Sequence, residues 1–398
     1  MEALFEKYYR KLQQTVSPFQ RSLIADIDWS NRLIGIKGAR GAGKTTLLLQ
    51  HARRDLPGEG KTLYASLDDL YFTENRLFDL ADRFRKEGGR YLLLDEVHRY
   101  ANWSQELKNI YDDFADLTVV FTGSSIIHLD RAKGDLSRRA VLYELPGLSF
   151  REFLEITTGN AFNKVTMEEL LGTHVDLART VSEKIRPLEY FKKYLQYGYY
   201  PYFLENVQAY PLKLAETISL ALTSDLPAIH PVSYASIERI RLLLHIISES
   251  VPFKPNISKL SEHTGVARNT LITYLRYLED LRIIRGLYAA GHGMTLLQKP
   301  EKIFLYHPNL IFSLSSSSLQ ADLGSIRESF FVNQAGAAMP VAYAEEGDFT
   351  VGKYTFEVGG RSKNRHQIRH LRDAYVAADG IEIGHHQTIP LWLFGFFY

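Results

Sequence analysis

The stretch GARGAGKT, residues 38–45, decides the fold of this chain because it fits the pattern Gly-x-x-x-x-Gly-Lys-Ser/Thr. An apolar run, RLIGIK, precedes it at residues 32–37, and an amphipathic run, TTLLLQHARR, follows it at residues 45–54. In this strand–loop–helix order, the glycines let the backbone N–H groups surround a phosphate at a helix N-terminus. We therefore predict a phosphate-binding loop.

The loop and the start of the following helix supply the residues predicted to contact a bound nucleotide. Lys44 is expected to reach the β- and γ-phosphates, and Thr45 is expected to bind Mg²⁺ through its hydroxyl group. The alternative, a glycine-rich turn with an incidental lysine, does not explain why strand, loop and helix all fall where phosphate binding requires them. The predicted nucleotide-binding residues are Gly38, Arg40, Gly41, Gly43, Lys44, Thr45 and Thr46.

An acidic pair ends the next strongly apolar run, RYLLLDE at residues 90–96. We expect Asp95 to hold Mg²⁺ and Glu96 to polarise the water that attacks the γ-phosphate. Two adjacent carboxylates at a strand end cost free energy unless a metal ion or water offsets them. Emergence of both carboxylates into solvent is the alternative.

A further apolar run, LTVVFTGSS at residues 117–125, ends in small hydroxyl residues. Thr122 or Ser124 is predicted to hydrogen-bond the attacking water or the γ-phosphate, with a turn-forming role as the alternative. The basic segment RAKGDLSRR follows at residues 131–139. Arg138 or Arg139 is predicted to act as an arginine finger, either within this chain or towards a neighbouring subunit, and a solvated basic loop is the alternative.

Composition narrows the class of protein further. The 398 residues include 47 Lys and Arg against 46 Asp and Glu, a net charge of +1, and no cysteine. These values exclude a polycation, disulfides and any Cys-ligated zinc or iron–sulfur site. The guanine-reading pattern Asn-Lys-x-Asp is absent, which favours ATP. No apolar run is long enough for a spanning helix and no signal peptide is seen, so we expect a cytoplasmic protein without membrane contact.

The order of apolar runs predicts an α/β fold that begins with a parallel sheet. Runs at residues 30–145 alternate with helix-length segments, which is typical of βαβ units. Residues 151–250 are predicted to be helical, and residues 257–288 read as a helix-turn-helix with its turn at Gly265. Strand-like runs after Pro300 indicate a second, smaller α/β unit. The final stretch LWLFGFFY, residues 391–398, is predicted to be a terminal strand.

With these motifs in this order, the chain resembles the AAA-type prokaryotic ATPases that carry a C-terminal domain of unknown function. The segment GYYPYFLE, residues 198–205, is similar to the Tyr/Gly-Pro signature that follows the helical region of that family. The resemblance implies a P-loop NTPase sheet, a helical region, a winged helix and a small nuclease-like α/β domain. The corresponding ranges are 1–150, 151–250, 251–295 and 296–398.

The resemblance also implies a PD-(D/E)xK nuclease fold at the C-terminus. In that fold a helix carboxylate, a hairpin Asp and a Glu-x-Lys bind Mg²⁺ and activate water for phosphodiester cleavage. Glu328, Asp348 and Glu357 occupy the corresponding places, but Gly359 stands where the lysine belongs. Lys363 or Arg361 is the alternative source of the cation. We therefore predict a vestigial nuclease fold, kept for structure or binding.

Two basic features favour a DNA partner, and a protein partner is the alternative. The second helix of the helix-turn-helix offers groups that contact phosphates and base edges, although it also carries Glu279 and Asp280. The segment RSKNRHQIRHLR, residues 361–372, is a second candidate, with a solvated face as the alternative. The first set comprises Arg268, Asn269, Thr270, Thr273 and Arg276.

Together these features predict Mg²⁺-dependent ATP binding and hydrolysis that drives a conformational switch on a protein or nucleic-acid partner. One alternative is an ATP-regulated DNA-binding or DNA-processing protein. Another is a P-loop kinase of a small molecule, with residues 131–139 as its lid. An arginine finger acting between subunits would also require a homo-oligomer.

Overall fold

A computed structural model describes the whole chain except residues 16–18, 59, 125–135, 250–251, 289–298 and 315–322. It divides into two compact units, of which unit 1 holds Met1–Gly147 and Leu220–Pro231, and unit 2 holds Leu148–Ser219 and Val232–Tyr398. The first division falls three residues before the expected boundary at 150. Segment 220–231, expected in the helical region, belongs to unit 1. The finer division into four domains stays a prediction.

Unit 1 is built on a five-stranded parallel sheet, which confirms the expected P-loop NTPase fold class. The strands lie in the order β2-β3-β4-β1-β5, and each neighbouring pair is parallel. Leu92, Leu93 and Leu94 in β3 are all fully buried, as expected for a strand covered on both faces. The strands are β1 (Leu33–Gly38), β2 (Thr62–Ser66), β3 (Tyr91–Asp95), β4 (Thr118–Ser124) and β5 (Val141–Glu144).

The helices of unit 1 flank this sheet. Helix α11 belongs to unit 1 because it lies in segment 220–231, which follows α7 to α10 along the chain. A 3₁₀ turn at Val97–Arg99 follows β3, and a π-helical turn at Ala221–Asp225 precedes the last helix. The helices are α1 (Glu2–Gln14), α2 (Leu23–Asp26), α3 (Lys44–Asp55), α4 (Tyr71–Glu74), α5 (Leu77–Lys86), α6 (Trp103–Asp113) and α11 (Leu226–Ile229).

Unit 2 begins with helices and a helix-turn-helix. Gly265 ends α13 with a φ of 65°, a left-handed conformation that glycine adopts without steric cost. Leu271, Leu275 and Leu278 of α14 are buried, as their helical spacing predicts. The elements are α7 (Phe150–Thr158), α8 (Met167–Ser182), α9 (Pro187–Tyr197), a 3₁₀ turn (Pro201–Leu204), α10 (Tyr210–Leu220), α12 (Tyr234–Ser248), α13 (Ile257–Thr264) and α14 (Arg268–Asp280).

The remainder of unit 2 contains two sheets. Strands β6 and β7 form an antiparallel pair after α14. The larger sheet has the order β12-β11-β10-β9-β8, with β8, β9 and β10 antiparallel and β10, β11 and β12 parallel. The elements are β6 (Ile284–Leu287), β7 (Lys302–Leu305), α15 (Pro308–Leu314), α16 (Leu323–Ala338), β8 (Val341–Tyr343), β9 (Phe349–Val351), β10 (Tyr354–Gly359), β11 (Ala374–Ala378) and β12 (Thr388–Pro390).

The prediction of a terminal strand at residues 391–398 is wrong. Strand β12 ends at Pro390, and Leu391–Phe396 forms a 3₁₀ helix whose six residues are all buried. A short, continuously apolar run has no period that separates a buried strand from a buried helical turn. Its complete burial explains why every position is apolar.

A search of the described residues finds no helix with the length and apolarity needed to cross a membrane.

Candidate active site

The phosphate loop joins the end of β1 to the start of α3, and its glycines are required by its backbone. Gly41 and Gly43 have φ angles of 84° and 96°, which residues with a Cβ rarely adopt. A Cβ on Gly38 would lie 2.4 Å from the carbonyl oxygen of Leu145, at the end of the neighbouring strand. Arg21 supports the loop from outside, since its Nη1 donates to the Ala42 carbonyl at 2.7 Å.

Lys44 is buried, and its ammonium group lies within the loop itself. Its Nζ donates to the carbonyl oxygens of Gly38 at 2.9 Å and Ala39 at 3.2 Å. Thr46, also predicted to bind nucleotide, is exposed in the first turn of α3. The ammonium group of Lys44 thus lies inside the loop, and phosphate binding by Lys44 stays a prediction.

Asp95 is the last residue of β3, and three hydroxyl groups donate to its buried carboxylate. Thr45 Oγ1 donates to Oδ2 at 2.6 Å and Tyr64 OH donates to the same oxygen at 2.7 Å, while Thr122 Oγ1 donates to Oδ1. The sheet order explains this convergence because β2, β3 and β4 are parallel neighbours that end at one edge. The structure thus brings Thr45 and Asp95, the two predicted Mg²⁺ ligands, into contact.

Glu96 leaves β3 in a strained conformation. Its φ of 53° is left-handed, which costs on the order of 1 kcal/mol for a residue with a Cβ. Its backbone N–H donates to Thr122 Oγ1 at 3.3 Å, and its side chain is 22% exposed. Carboxylate oxygen Oε2 lies 4.0 Å from Arg40 Nη2 and 3.5 Å from His98 Nε2. This places the predicted base beside cationic and polar groups while leaving it open to solvent.

A cavity of about 350 Å³ adjoins these carboxylates, and Arg40, Thr45, Asp95 and Glu96 all line it. Helix α1 adds Lys7 and Lys11 to its wall. Both lysines already have partners, because Lys7 Nζ lies 2.5 Å from Asp69 Oδ2 and Lys11 Nζ donates to Tyr64 OH at 3.1 Å. Burial, and then the Asp95 carboxylate, raise the pKa of Tyr64, so this phenol remains a hydrogen-bond donor.

Asp225, from segment 220–231, is a site residue that the sequence motifs did not reveal. Its Oδ1 accepts from Arg40 Nη2 at 2.8 Å and from Arg99 Nη2 at 2.9 Å, and it lies 3.5 Å from His98 Nε2. Burial opposes ionisation of Asp225, but the contacts with His98 and Arg40 outweigh it and lower the pKa to about 2. The carboxylate is therefore charged at neutral pH.

The other predicted catalytic residues differ in where the structure places them. Ser124 ends β4 beside the site, where its backbone N–H donates to His98 Nδ1 at 3.3 Å. Arg138 is exposed, and Arg139 pairs with Asp112 at 2.8 Å, in the last turn of α6. Both arginines precede β5, which runs parallel to β1, so they lie at the sheet edge opposite the phosphate loop. Residues 131–135 of the same basic segment lie outside the described residues.

The three carboxylates of the nuclease hypothesis each contact a different partner. Glu357 is 1% exposed and its Oε1 lies 2.7 Å from Lys363 Nζ. Asp348 Oδ2 accepts the Val358 N–H at 2.8 Å, and Glu328 lies 3.5 Å from Lys302. Across the described part of the chain, no group of three or more His, Cys, Asp or Glu residues could hold a metal ion.

The two basic features expected to face DNA are largely exposed. Arg268, Asn269, Thr270 and Thr273 are exposed on α14, and Arg276 is half-buried. Glu279 turns inward, since its carboxylate accepts from the Gly286 N–H at 2.6 Å and the Tyr288 hydroxyl at 3.0 Å. In segment 361–372, Lys363 pairs with Glu357 and Arg365 contacts Gln387, while the exposed cations are Arg361, Arg369 and Arg372.

Comparison with protein families agrees with the geometry of unit 1. Residues 30–154 match a family described as an AAA domain, and residues 188–320 match a domain of unknown function, DUF8612. Residues 30–154 are therefore similar to AAA domains, in agreement with the sheet order and the loop that precedes α3.

This chain also aligns with a relative along most of its length. It is 27% identical over 383 residues to the uncharacterized protein MJ1637 of Methanocaldococcus jannaschii, covering 88% of this chain and 80% of the relative.

Three of the solved structures that match this chain do so at low sequence identity. A variant of Thermotoga maritima RuvB is 16% identical with a TM-score of 0.32, covering 72% of this chain and 89% of that one. Aeropyrum pernix ORC1 in complex with DNA is 13% identical with a TM-score of 0.30, covering 82% and 91%. AMPPCP-bound DnaA from Aquifex aeolicus is 16% identical with a TM-score of 0.24, covering 69% and 87%.

Proposed function

We propose that unit 1 binds ATP with Mg²⁺ and hydrolyses it, and that this reaction drives a conformational switch acting on a protein or nucleic-acid partner. The observation that carries the proposal is the contact of Thr45 with Asp95 beside Glu96, at the mouth of the phosphate loop. A glycine-rich turn without a nucleotide would not need a hydroxyl, two carboxylates and a buried lysine at one sheet edge.

The donor set fits Mg²⁺. This ion prefers oxygen ligands and is usually held by one or two protein groups together with substrate phosphates and water. Thr45 Oγ1 and Asp95 Oδ2 are adjacent oxygens, and both residues line the cavity. When bound, the ion would neutralise charge on the phosphates.

The remaining residues have distinct roles in the proposed hydrolysis. Lys44 and the loop N–H groups bind the β- and γ-phosphates. The water oxygen forms a bond to the γ-phosphorus, while the bond from that phosphorus to the bridging oxygen breaks and ADP leaves. Glu96 accepts the proton that the attacking water loses.

Two variants test the ATPase proposal. Lys44→Ala should weaken ATP binding at least about 100-fold, because it removes the ammonium inside the loop. Glu96→Gln should bind ATP normally but reduce phosphate release about 100-fold or more, because an amide cannot accept the proton. Fluorescent-nucleotide titration and phosphate release provide the measurements. Wild-type hydrolysis rates in both variants would contradict the proposal.

A small-molecule kinase is the alternative chemistry at this site. In a kinase, an acceptor hydroxyl replaces water, so phosphate release would require an added acceptor. Glu96 is already beside a solvent-open cavity, which supports water as the nucleophile. Release of phosphate by the purified protein without any acceptor would argue against the kinase.

Nucleic acid is a candidate partner because α14 presents four exposed polar side chains and its acidic Glu279 is turned inward. We interpret α13, α14 and the β6–β7 pair as a winged helix. Mobility-shift assays with duplex DNA should show binding that weakens as salt rises, and ATP should alter it if the switch is nucleotide-dependent. Arg268→Ala should weaken binding, whereas Arg179→Ala, an exposed helix position elsewhere in unit 2, should not.

We propose that the C-terminal sheet is a vestigial nuclease fold. The Glu357–Lys363 pair supports this interpretation, because the ammonium group of Lys363 neutralises the carboxylate that would otherwise bind a metal ion. Incubation with plasmid and Mg²⁺ or Mn²⁺ should leave the DNA intact. Cleavage that Glu357→Gln abolishes would overturn this proposal.

We propose that Arg138 or Arg139 acts as an arginine finger towards a neighbouring subunit, because both lie at the sheet edge opposite the phosphate loop of their own chain. Solution mass measured with and without ATP tests it. An ATP-dependent oligomer whose hydrolysis is lost in Arg138→Ala or Arg139→Ala would support it, and a monomer under all conditions would contradict it.

A further inference from the structure

Asp225 reaches the phosphate loop from a part of the chain far outside the nucleotide-binding motifs. Arg40 and Asp225 are separated by 185 residues, and the AAA-domain match ends at residue 154. Asp225 is the last residue of a π-helical turn in which the Leu226 N–H donates to the Ala221 carbonyl. Such turns are rare in proteins, and those that occur often lie at functional sites. Segment 220–231 is joined to unit 2 by the chain at both of its ends.

Asp225 engages only one edge of the Arg40 guanidinium. Nη2 donates to Oδ1 at 2.8 Å and Nε to Oδ2 at 3.3 Å. Within the described residues, Nη1 of Arg40 makes no hydrogen bond, and the side chain lines the cavity with Thr45, Asp95 and Glu96. Both N–H donors on Nη1 of Arg40 therefore remain for an incoming anion.

The same carboxylate also contacts His98, which lies beside Glu96. Because His98 Nδ1 accepts the Ser124 N–H at 3.3 Å, a neutral ring carries its proton on Nε2. Nε2 lies 3.5 Å from Glu96 Oε2 and 3.5 Å from Asp225 Oδ1, distances at which neither contact is a strong hydrogen bond. Arg40 and His98 thus both lie between Asp225 and the proposed base.

Arg99 fixes Asp225 independently of Arg40. Arg99 Nη2 donates to Asp225 Oδ1 at 2.9 Å, and Nη1 donates to the hydroxyl of Ser224 in the same turn. The side chain of Asp225 is 3% exposed, so solvent does not weaken these contacts. Arg99 therefore fixes the position of the Asp225 carboxylate, and the longer Arg40 side chain is hydrogen-bonded to it.

On the basis of the proposed ATPase activity, we propose that Asp225 is a positioning residue that holds Arg40 so that its unused amino group meets the γ-phosphate oxygens beside Glu96. A guanidinium fixed before the reaction stabilises developing phosphate charge without having to reorganise. Without the contact to Asp225, the arginine side chain would lose its rotamer freedom during the reaction step, which costs free energy. The loss of Asp225 should therefore lower kcat and leave the affinity for ATP nearly unchanged.

Asp225→Asn in the full-length protein tests this role because it keeps the shape and removes the charge. We expect kcat for phosphate release to fall about 10- to 100-fold, while the Kd for a fluorescent ATP analogue changes less than about threefold. Asp225→Glu should recover part of kcat. The matched control is Asp116→Asn, since Asp116 also pairs with two arginines, Arg90 at 2.7 Å and Arg85 at 3.5 Å, but on the surface. The control should retain wild-type kcat.

A double-variant cycle shows whether Asp225 acts through Arg40. Arg40→Gln and Arg40→Gln/Asp225→Asn should have the same kcat, because the carboxylate has nothing to position once Arg40 is gone. A wild-type kcat in Asp225→Asn, or additive losses in the double variant, would overturn the inference. So would an Asp225→Asn protein that binds ATP ten times more tightly, since Asp225 would then be withholding Arg40 from the nucleotide.

The controls separate this inference from the ATPase proposal. If the wild-type protein releases no phosphate, or Glu96→Gln hydrolyses normally, the proposed function itself fails. If only Asp225→Asn behaves like wild type, the positioning role alone fails. Should circular dichroism show that Asp225→Asn is unfolded, Arg40→Gln alone decides. A kcat loss at unchanged Kd would support the role of Arg40, and an unchanged kcat would overturn it.

Discussion

Asp95 in unit 1 and Glu357 in unit 2 are both buried carboxylates in β-strands, but their surroundings differ. Asp95 accepts from the neutral hydroxyl groups of Thr45, Tyr64 and Thr122. Glu357 faces the ammonium of Lys363, and its Oε2 makes no hydrogen bond to the described residues. Hydroxyl donors orient a carboxylate and leave its negative charge available, whereas an ammonium neutralises it.

The two units also differ in whether their acidic residues line a common cavity. In unit 1, parallel strands end at one edge, so that Asp95, Glu96 and the phosphate loop share one cavity. In unit 2, Glu328, Asp348 and Glu357 are bound to separate partners. A set of acidic residues recognised in sequence therefore acquires a function only if the fold brings the residues together around an available charge.

The strongest test of this comparison is to remove each charge in turn. Asp95→Asn should lower kcat for ATP hydrolysis about 100-fold or more, because it removes the charge proposed to bind Mg²⁺. Glu357→Gln should leave that rate within about twofold. Phosphate release at saturating ATP and Mg²⁺ measures both. Equal losses of kcat in the two variants would contradict the proposed difference between Asp95 and Glu357.

Lys363→Met tests whether the pair in unit 2 is structural. Glu357 would remain buried without a cation, which should lower the free energy of unfolding by about 2 kcal/mol, less than for a fully buried pair because Lys363 is 32% exposed. Urea denaturation measures the change. Adding Glu357→Gln should restore most of the stability, and no effect of Lys363→Met alone would contradict a structural pair.

Asp225 combines features of both carboxylates, because it is ion-paired like Glu357 but belongs, like Asp95, to the site in unit 1. Its pKa of about 2 in the folded protein lies below the ordinary value of about 3.9, so its contribution to stability is present above about pH 4 and is lost as the pH falls towards 2. The charged and titratable groups that contact it are Arg40, His98 and Arg99.

The expected contribution of this carboxylate is about 2 kcal/mol. Urea denaturation of wild type and Asp225→Asn between pH 5 and pH 2 should show a smaller loss of stability in the variant. Asp116→Asn serves as the control, because its exposed carboxylate should contribute little. Identical pH profiles for wild type and Asp225→Asn would contradict the low pKa.

The smallest expected effect concerns the hydroxyl groups around Asp95. Tyr64→Phe removes one donor and leaves the carboxylate less firmly oriented, so the Mg²⁺ concentration needed for half-maximal hydrolysis should rise about fivefold to tenfold. Tyr91→Phe, at the opposite end of β3, is the control. An unchanged Mg²⁺ requirement in Tyr64→Phe would show that Thr45 and Thr122 suffice to orient Asp95.

Much of the fold and the centre of the site could be predicted because their signals are local. The apolar runs at residues 32–37, 90–96 and 117–125 correspond to β1, β3 and β4, and the spacing of Leu271, Leu275 and Leu278 identifies the buried face of α14. The phosphate loop can be predicted because its backbone conformation requires a pattern of glycines. The acidic pair can be predicted because both carboxylates directly follow an apolar strand. The run at 391–398 was misassigned because it is apolar throughout and has no period.

Local sequence patterns are enough to predict the phosphate loop, the Asp95–Glu96 pair and the parallel sheet that carries them, because each depends on neighbouring residues and on helix or strand periodicity. The structure was needed to show that Asp225 contacts Arg40, that Arg138 and Arg139 lie at the opposite sheet edge, and that Lys363 neutralises Glu357. Those outcomes depend on how distant segments pack and which strands become neighbours. Single charged residues carry no local pattern that reports their partners.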